Sequence, residues 1–347
     1  MPYSQVKSLC ICSAMVFAAS SAQASDPLQV AGSSTVYPYA AMSADAFVEN
    51  HDFAYPEVEA GGSSTGLRMF CEGTGAETLD IALASRRIKA SEVSGCASNG
   101  VNDIIEVRIG YDGLVFANSA DNAAFSFVPA DWYNALAAQV VINGQLTANT
   151  ASRWSEVNAT LPDVEIVTYI PSSVHGTREV FDLKMLLEGC KATGAYDAFM
   201  TQNGGDRKAA SASCMSLRDG GFAQEQEGGA SEILDRIRGS QSAIGVVSLG
   251  FYETNASALQ ASLINGVTAT ADNIASGTYP VSRPLFMYVK QANIEVTPGI
   301  KEYVLTVLSD EMSGPDGFLT LFGLVSDPEL QKTREKVINE ERLGAEG

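Results

Sequence analysis

The chain has 347 residues, more than one hydrophobic core usually serves, so two lobes or domains are expected. With 46% hydrophobic and 18% charged residues it is a foldable globular chain, which excludes disordered and collagen-like classes. Lys and Arg number 22 against 41 Asp and Glu, a formal net charge of −19 that repels nucleic-acid phosphates and anionic lipid surfaces.

The first 24 residues read as a secretory signal: Lys7 is basic, Leu9 to Ala19 is an apolar run, and Ala22-Gln23-Ala24 is an A-x-A cleavage pattern. Cleavage leaves a chain starting at Ser25 and a periplasmic location. No later segment reaches the length of a membrane span, so no stable membrane insertion is expected. Four cysteines, Cys71, Cys96, Cys190 and Cys214, remain in an oxidising compartment and suggest two disulfides. Proximity favours Cys71–Cys96 and Cys190–Cys214 over the two other pairings. No C-x-x-C spacing and only two His argue against zinc, and no cofactor is expected.

From Leu28 onward short apolar runs alternate with helical patterns: Leu28 to Ala31, Tyr39 to Val48, Val58 to Ala60, then Gly66 to Cys71. This βαβ alternation implies an α/β fold with a parallel sheet. Ile104 to Phe116 and Val281 to Val289 read as two strands crossing between lobes, which sets lobe one at 25–111 with 283–347 and lobe two at 112–282. The tail from Ile300 reads as helices packed on the surface of the first lobe.

Three segments share one pattern, a short apolar run followed by a Gly/Ser/Thr cluster and a helix: Gly32-Ser33-Ser34-Thr35, Gly61 to Gly66, and Pro171 to Arg178. Each puts hydroxyls and free N–H groups where anions bind in open α/β sheets. One such cluster is ordinary capping; three exceed what capping requires. Asp80 to Arg87 adds Ser85 with Arg86 and Arg87, plausible counterions for an oxyanion in a chain so poor in cations.

In order, Val30 to Pro38, Gly61 to Gly66, Asp80 to Arg86, Ile109 to Leu114, His175 to Glu179 and Ala243 to Val247 resemble the periplasmic phosphate-binding proteins of phosphate ABC transporters. The resemblance implies a two-lobed periplasmic-binding-protein fold, each lobe a central β-sheet flanked by helices, with inorganic phosphate dehydrated in the cleft between them. It also implies a monomer that hands phosphate to the permease subunits of an ABC importer.

By matched position, Ser34, Thr35, Val36 and Ser63 are ligands from the first lobe, and Gly176 and Thr177 from the second. His175 stands where a ligand serine usually does, and Ile170, Pro171 and Ser172 occupy the stretch where some members carry an arginine. Arg86, following Ser85, is expected to be the main cationic ligand and Arg178 the second, unless Arg178 pairs with Glu179 or Asp182 on its own helix surface. Asp112, otherwise a Tyr-Asp-Gly turn residue, is expected by matched position to be the acceptor that separates protonated phosphate from sulfate. Other oxyanions, sulfate, arsenate or phosphonates, are the nearest alternative ligands. A phosphoester hydrolase is the remaining alternative: His175 lies near Ser173 and Glu179, but no G-x-S-x-G elbow is present, so binding without catalysis is expected.

Overall fold

The computed structural model describes residues 26–173, 176–226 and 230–344. The expected signal segment and His175 lie outside them. The fold is two-lobed and mixed α/β, with a curled central sheet whose strands run in the order β2-β1-β3-β9-β4-β7-β5-β6. In chain order these are β1 (Gln29–Gly32), β2 (Glu57–Ala60), β3 (Ile81–Ala84), β4 (Ile104–Ser119), β5 (Val167–Pro171), β6 (Ala223–Gln226), β7 (Ala243–Ser248), β8 (Leu259–Ala261) and β9 (Ser282–Lys290). The parallel pairing read from the βαβ alternation holds for β1 with β2 and β3, and for β5 with β6 and β7. Between these two groups β9 and β4 run antiparallel to each other, and β8 joins β4 at its far end.

Strand β4 is what joins the lobes. Its first part pairs with β9 up to Gly113, and from Leu114 to Ala117 it pairs with β7. Ile109 to Asn118 are buried without interruption, because helices or loops cover both sheet faces there. One core gathers Leu114, Phe116, Trp132, Trp154, Phe181 and Val246. Another gathers Leu28, Phe47, Leu83, Val107, Met287 and Tyr303. Phe116 and Trp132 lie 4.7 Å apart between ring centroids, and burying aromatics of this size contributes about 2–3 kcal/mol each.

Helix α1 (Tyr37–Asn50) starts with Pro38, whose fixed φ suits a first turn, and buries Tyr39, Ala40, Ala44 and Phe47. The tail does more than coat a surface. Ile300, Tyr303, Val304 and Val307 are fully buried, and the Tyr303 hydroxyl donates to the Ala40 carbonyl at 2.7 Å. Val325 reaches further, pairing with Tyr111 in β4 and joining the other lobe's core.

The disulfides are Cys71–Cys96 and Cys190–Cys214, the pairing that proximity favours. Each closes a loop whose restricted unfolded state stabilises the fold by about 3 kcal/mol. Among the described residues no helix is long and apolar enough to cross a membrane.

Candidate functional site

Three loops and one strand pair meet between the lobes. The first loop leaves β1 at Gly32, where φ is +143° and a Cβ would stand 2.2 Å from the Leu83 carbonyl oxygen; only glycine lets the chain turn this close to β3. The turn is internally bonded. Ser33 N–H donates to Leu83 O at 2.9 Å, Thr35 N–H to Ser33 Oγ at 3.3 Å, and Val36 N–H to Ser33 O at 3.2 Å. The second loop enters helix α2 (Ser63–Phe70), with Gly61 and Gly62 N–H both donating to Gly32 O at 2.7 Å. The third follows β3, where Ser85 N–H donates to Ser63 Oγ at 3.1 Å and the two hydroxyl oxygens are 3.2 Å apart.

The strand pair is β4 with β9, which sets Asp112 directly opposite Arg283 at the crossing. Both are buried, at 2% and 9% exposure. Arg283 joins the first and third of these loops to Gly176 and Glu179 of the opposite lobe. Nη1 donates to Ser85 Oγ at 3.0 Å and to Glu179 Oε2 at 2.9 Å; Nη2 donates to Thr35 Oγ1 at 2.5 Å and to Gly176 O at 2.9 Å. Nε faces Asp112 Oδ2 at 3.5 Å, and neither atom makes a hydrogen bond. Burial raises the Asp112 carboxyl above its usual value; the guanidinium opposes that rise, and Glu179 adds to it.

The chemistry of this cluster follows from what each hydroxyl does. Thr35 and Ser85 accept from the guanidinium, which leaves the Thr35 O–H to donate outward and one O–H of the Ser63–Ser85 hydroxyl pair to do the same. A guanidinium and several hydroxyls aimed into one cleft suit an oxyanion. The cleft beside them has a volume of about 480 Å³, with Ser63, Ser85, Arg86 and Arg283 on its walls together with Glu179 and Lys184. The opposite lobe approaches closely at helix α3 (Gly176–Phe181), where a Cβ on Gly176 would stand 2.2 Å from Thr35 Oγ1. A second cavity, about 350 Å³ between Leu249 and Leu324, carries Glu253, Asp272 and Asp327 on its walls, and these carboxylates repel anions.

The structure therefore brings Thr35, Ser63, Ser85, Asp112 and Gly176 around one point. Ser34 is exposed at the turn, and Thr177 is half-buried at the start of α3. The two arginines singled out from the sequence are committed elsewhere. Arg86 makes a two-pronged bond to Glu92 at 2.9 and 2.7 Å and donates to Ser64 Oγ at 3.0 Å, and it holds the Glu92 carboxyl below the usual range. Arg178 donates to Asp182 at 2.7 Å, to Pro171 O at 3.4 Å and to Glu225. Arg283, Glu179 and Lys184 were missed. The available signal was a lone cation in the apolar run Val281-Ser282-Arg283-Pro284-Leu285, in a strand read as a lobe crossing.

Catalysis would need a base near these hydroxyls. His51 instead caps the end of α1 and lies tilted against Phe47, with ring centroids 5.4 Å apart. No cluster of three or more His, Cys, Asp or Glu able to hold a metal occurs among the described residues.

Comparison with known proteins accounts for this architecture. A family model described as a PBP superfamily domain matches residues 18–311. Protein SphX of Synechococcus elongatus is 28% identical over 274 residues, 76% of this chain and 69% of that protein. The phosphate-binding protein PstS of Staphylococcus haemolyticus is 26% identical over 304 residues, 86% of this chain and 80% of that one. The crystal structure of a possible phosphate-binding protein from Planctomyces limnophilus is similar in fold, with a TM-score of 0.68 at 23% identity over 92% of this chain and 100% of that one.

Proposed function

The chain belongs to the PBP superfamily, and from that premise we propose that it captures inorganic phosphate outside the cytoplasm and delivers it to the permease subunits of an ABC importer. The phosphate-binding PstS relatives support this reading, and they are binding proteins rather than enzymes. The observation that carries it is the buried Arg283, opposite Asp112, with the hydroxyls of Thr35 and Ser85 bonded to it.

In this reading phosphate lies against Arg283 and accepts from the hydroxyls of Thr35, Ser63 and Ser85, while Gly176 and Thr177 close over it from the other lobe. By matched position Ser34, Val36 and His175 complete the set, and Arg86 and Arg178 support the walls. Each charge-assisted bond contributes about 1.5–3 kcal/mol, so three or four reach micromolar affinity or better, near −8 kcal/mol. The net negative charge does not forbid this, because at about 0.15 M salt charges beyond about 8 Å are largely screened. Asp112 accepts the proton of monohydrogen phosphate and repels sulfate, which has none to offer.

The two cores support lobe boundaries near Asp112 and Arg283, with hinge closure at the crossings. A cleaved signal segment, a periplasmic location, a monomeric state and binding without turnover complete the proposal. Titration calorimetry of the exported chain tests it. Phosphate is expected to bind with micromolar or tighter affinity, and sulfate binding as tightly would make the ligand a different oxyanion.

A further inference from the structure

Two carboxylates face one guanidinium in the cleft, so with both ionised Asp112, Glu179 and Arg283 together carry one excess negative charge. A doubly charged anion cannot join them without strong repulsion unless one carboxylate leaves. Asp112 is 2% exposed and fixed in the middle of β4. Glu179 is different. Its side chain is 55% exposed, at the edge of the cleft, and a single ion pair at 2.9 Å holds it to Arg283.

A receiving group stands on the same wall. After α3 the helix widens into a π-helical turn, Asp182–Leu187, an irregularity often found at functional sites. Lys184 lies in that turn and lines the same cleft as Glu179. It makes no hydrogen bond or ion pair among the described residues, whereas Arg86 and Arg87 on the opposite wall are paired with Glu92 and Glu106.

On the phosphate-binding reading above, we infer that Glu179 is a built-in competitor for the anion's place on Arg283 and that Lys184 receives its carboxylate when the anion enters. The exchange sets a threshold: an anion must outbid a tethered carboxylate for Nη1, which a doubly charged ligand does better than a singly charged one. It also links occupancy to lobe two, since Glu179 and Lys184 both move with that lobe.

A double-mutant cycle on phosphate affinity tests the exchange, read by titration calorimetry with thermal melting to confirm folding. Glu179→Gln is expected to bind phosphate about two- to fivefold more tightly, the range of a partly exposed ion pair. Glu179→Ala should do the same. Lys184→Gln should weaken binding about two- to fivefold in the wild-type background and have no effect beside Glu179→Gln, because no carboxylate then needs a place. Equal weakening in both backgrounds would make Lys184 a simple attractor and overturn the exchange, as would unchanged or weaker binding by both Glu179 variants. A wild-type protein that gives no heat with phosphate would instead defeat the phosphate reading itself, and the exchange with it.

Discussion

Arg178 and Arg283 are each 9% exposed, but their surroundings make them different devices. Arg178 is closed on one side by Asp182, four residues along its own helix, and on the other by Glu225 of a neighbouring strand. None of the groups bonded to it is a hydroxyl that could donate onward. Arg283 bonds to two hydroxyls from the loops after β1 and β3 and to the Gly176 carbonyl at the start of α3, and its one bonded carboxylate is half in solvent. Burial alone therefore does not mark a ligand-binding arginine. What marks it is whether its partners can pass a hydrogen bond on to a third group.

The largest test of that difference is Arg283→Ala, which should lower phosphate affinity at least about hundredfold, the loss of two charge-assisted bonds near 1.5 kcal/mol each. Calorimetry on the variant checks it, and a loss of the same size in Arg178→Ala would erase the distinction. Gly176→Ala comes next. Its Cβ would stand 2.2 Å from Thr35 Oγ1, so the lobes should fail to approach fully, at a cost of about 1–3 kcal/mol or roughly tenfold in affinity. Small-angle scattering should show less compaction with phosphate than in the wild type.

Asp112→Asn addresses selectivity. Burial raises the Asp112 carboxyl, so acidification neutralises it at a higher pH than an exposed aspartate. Sulfate keeps both charges throughout, so in the wild type it should compete better as pH falls and the repelling carboxylate disappears. Asp112→Asn should admit sulfate at neutral pH and remove that pH dependence; sulfate that fails to compete with either protein would acquit Asp112. The smallest effect belongs to Arg86→Ala. As the main cationic ligand it would cost at least about tenfold, but its bonds to Glu92 predict less than about threefold, with at most about 1 kcal/mol of stability lost.

What could be read from the chain follows the range of the interactions. The Gly/Ser/Thr clusters after Gly32 and Gly61 are local patterns that can be read from the chain, and Thr35 and Ser63 from them stand near Ser85 in the fold, Thr35 through Arg283 and Ser63 by direct hydroxyl contact. Cysteine proximity sufficed for the disulfides for the same reason. The bond of Arg178 to Asp182, four residues along one helix, was legible, but the other arginine roles were not, because they depend on partners outside the motif. Glu92 lies beyond the Arg86 loop, Glu225 lies across the sheet from Arg178, and the pairing of Arg283 with Asp112 exists only once β9 lies in register on β4. A strand pairing between distant segments leaves no short-range trace, so a cation in an apolar run reads as an interruption rather than as the centre of a site.

The most direct measurement is a crystal structure of the exported chain grown with phosphate. Tetrahedral density is expected within hydrogen-bond reach of the Arg283 guanidinium and the hydroxyls of Thr35 and Ser85, beside Asp112. Density at Arg86 and Arg87 with Arg283 still bonded only to its protein partners would contradict the account.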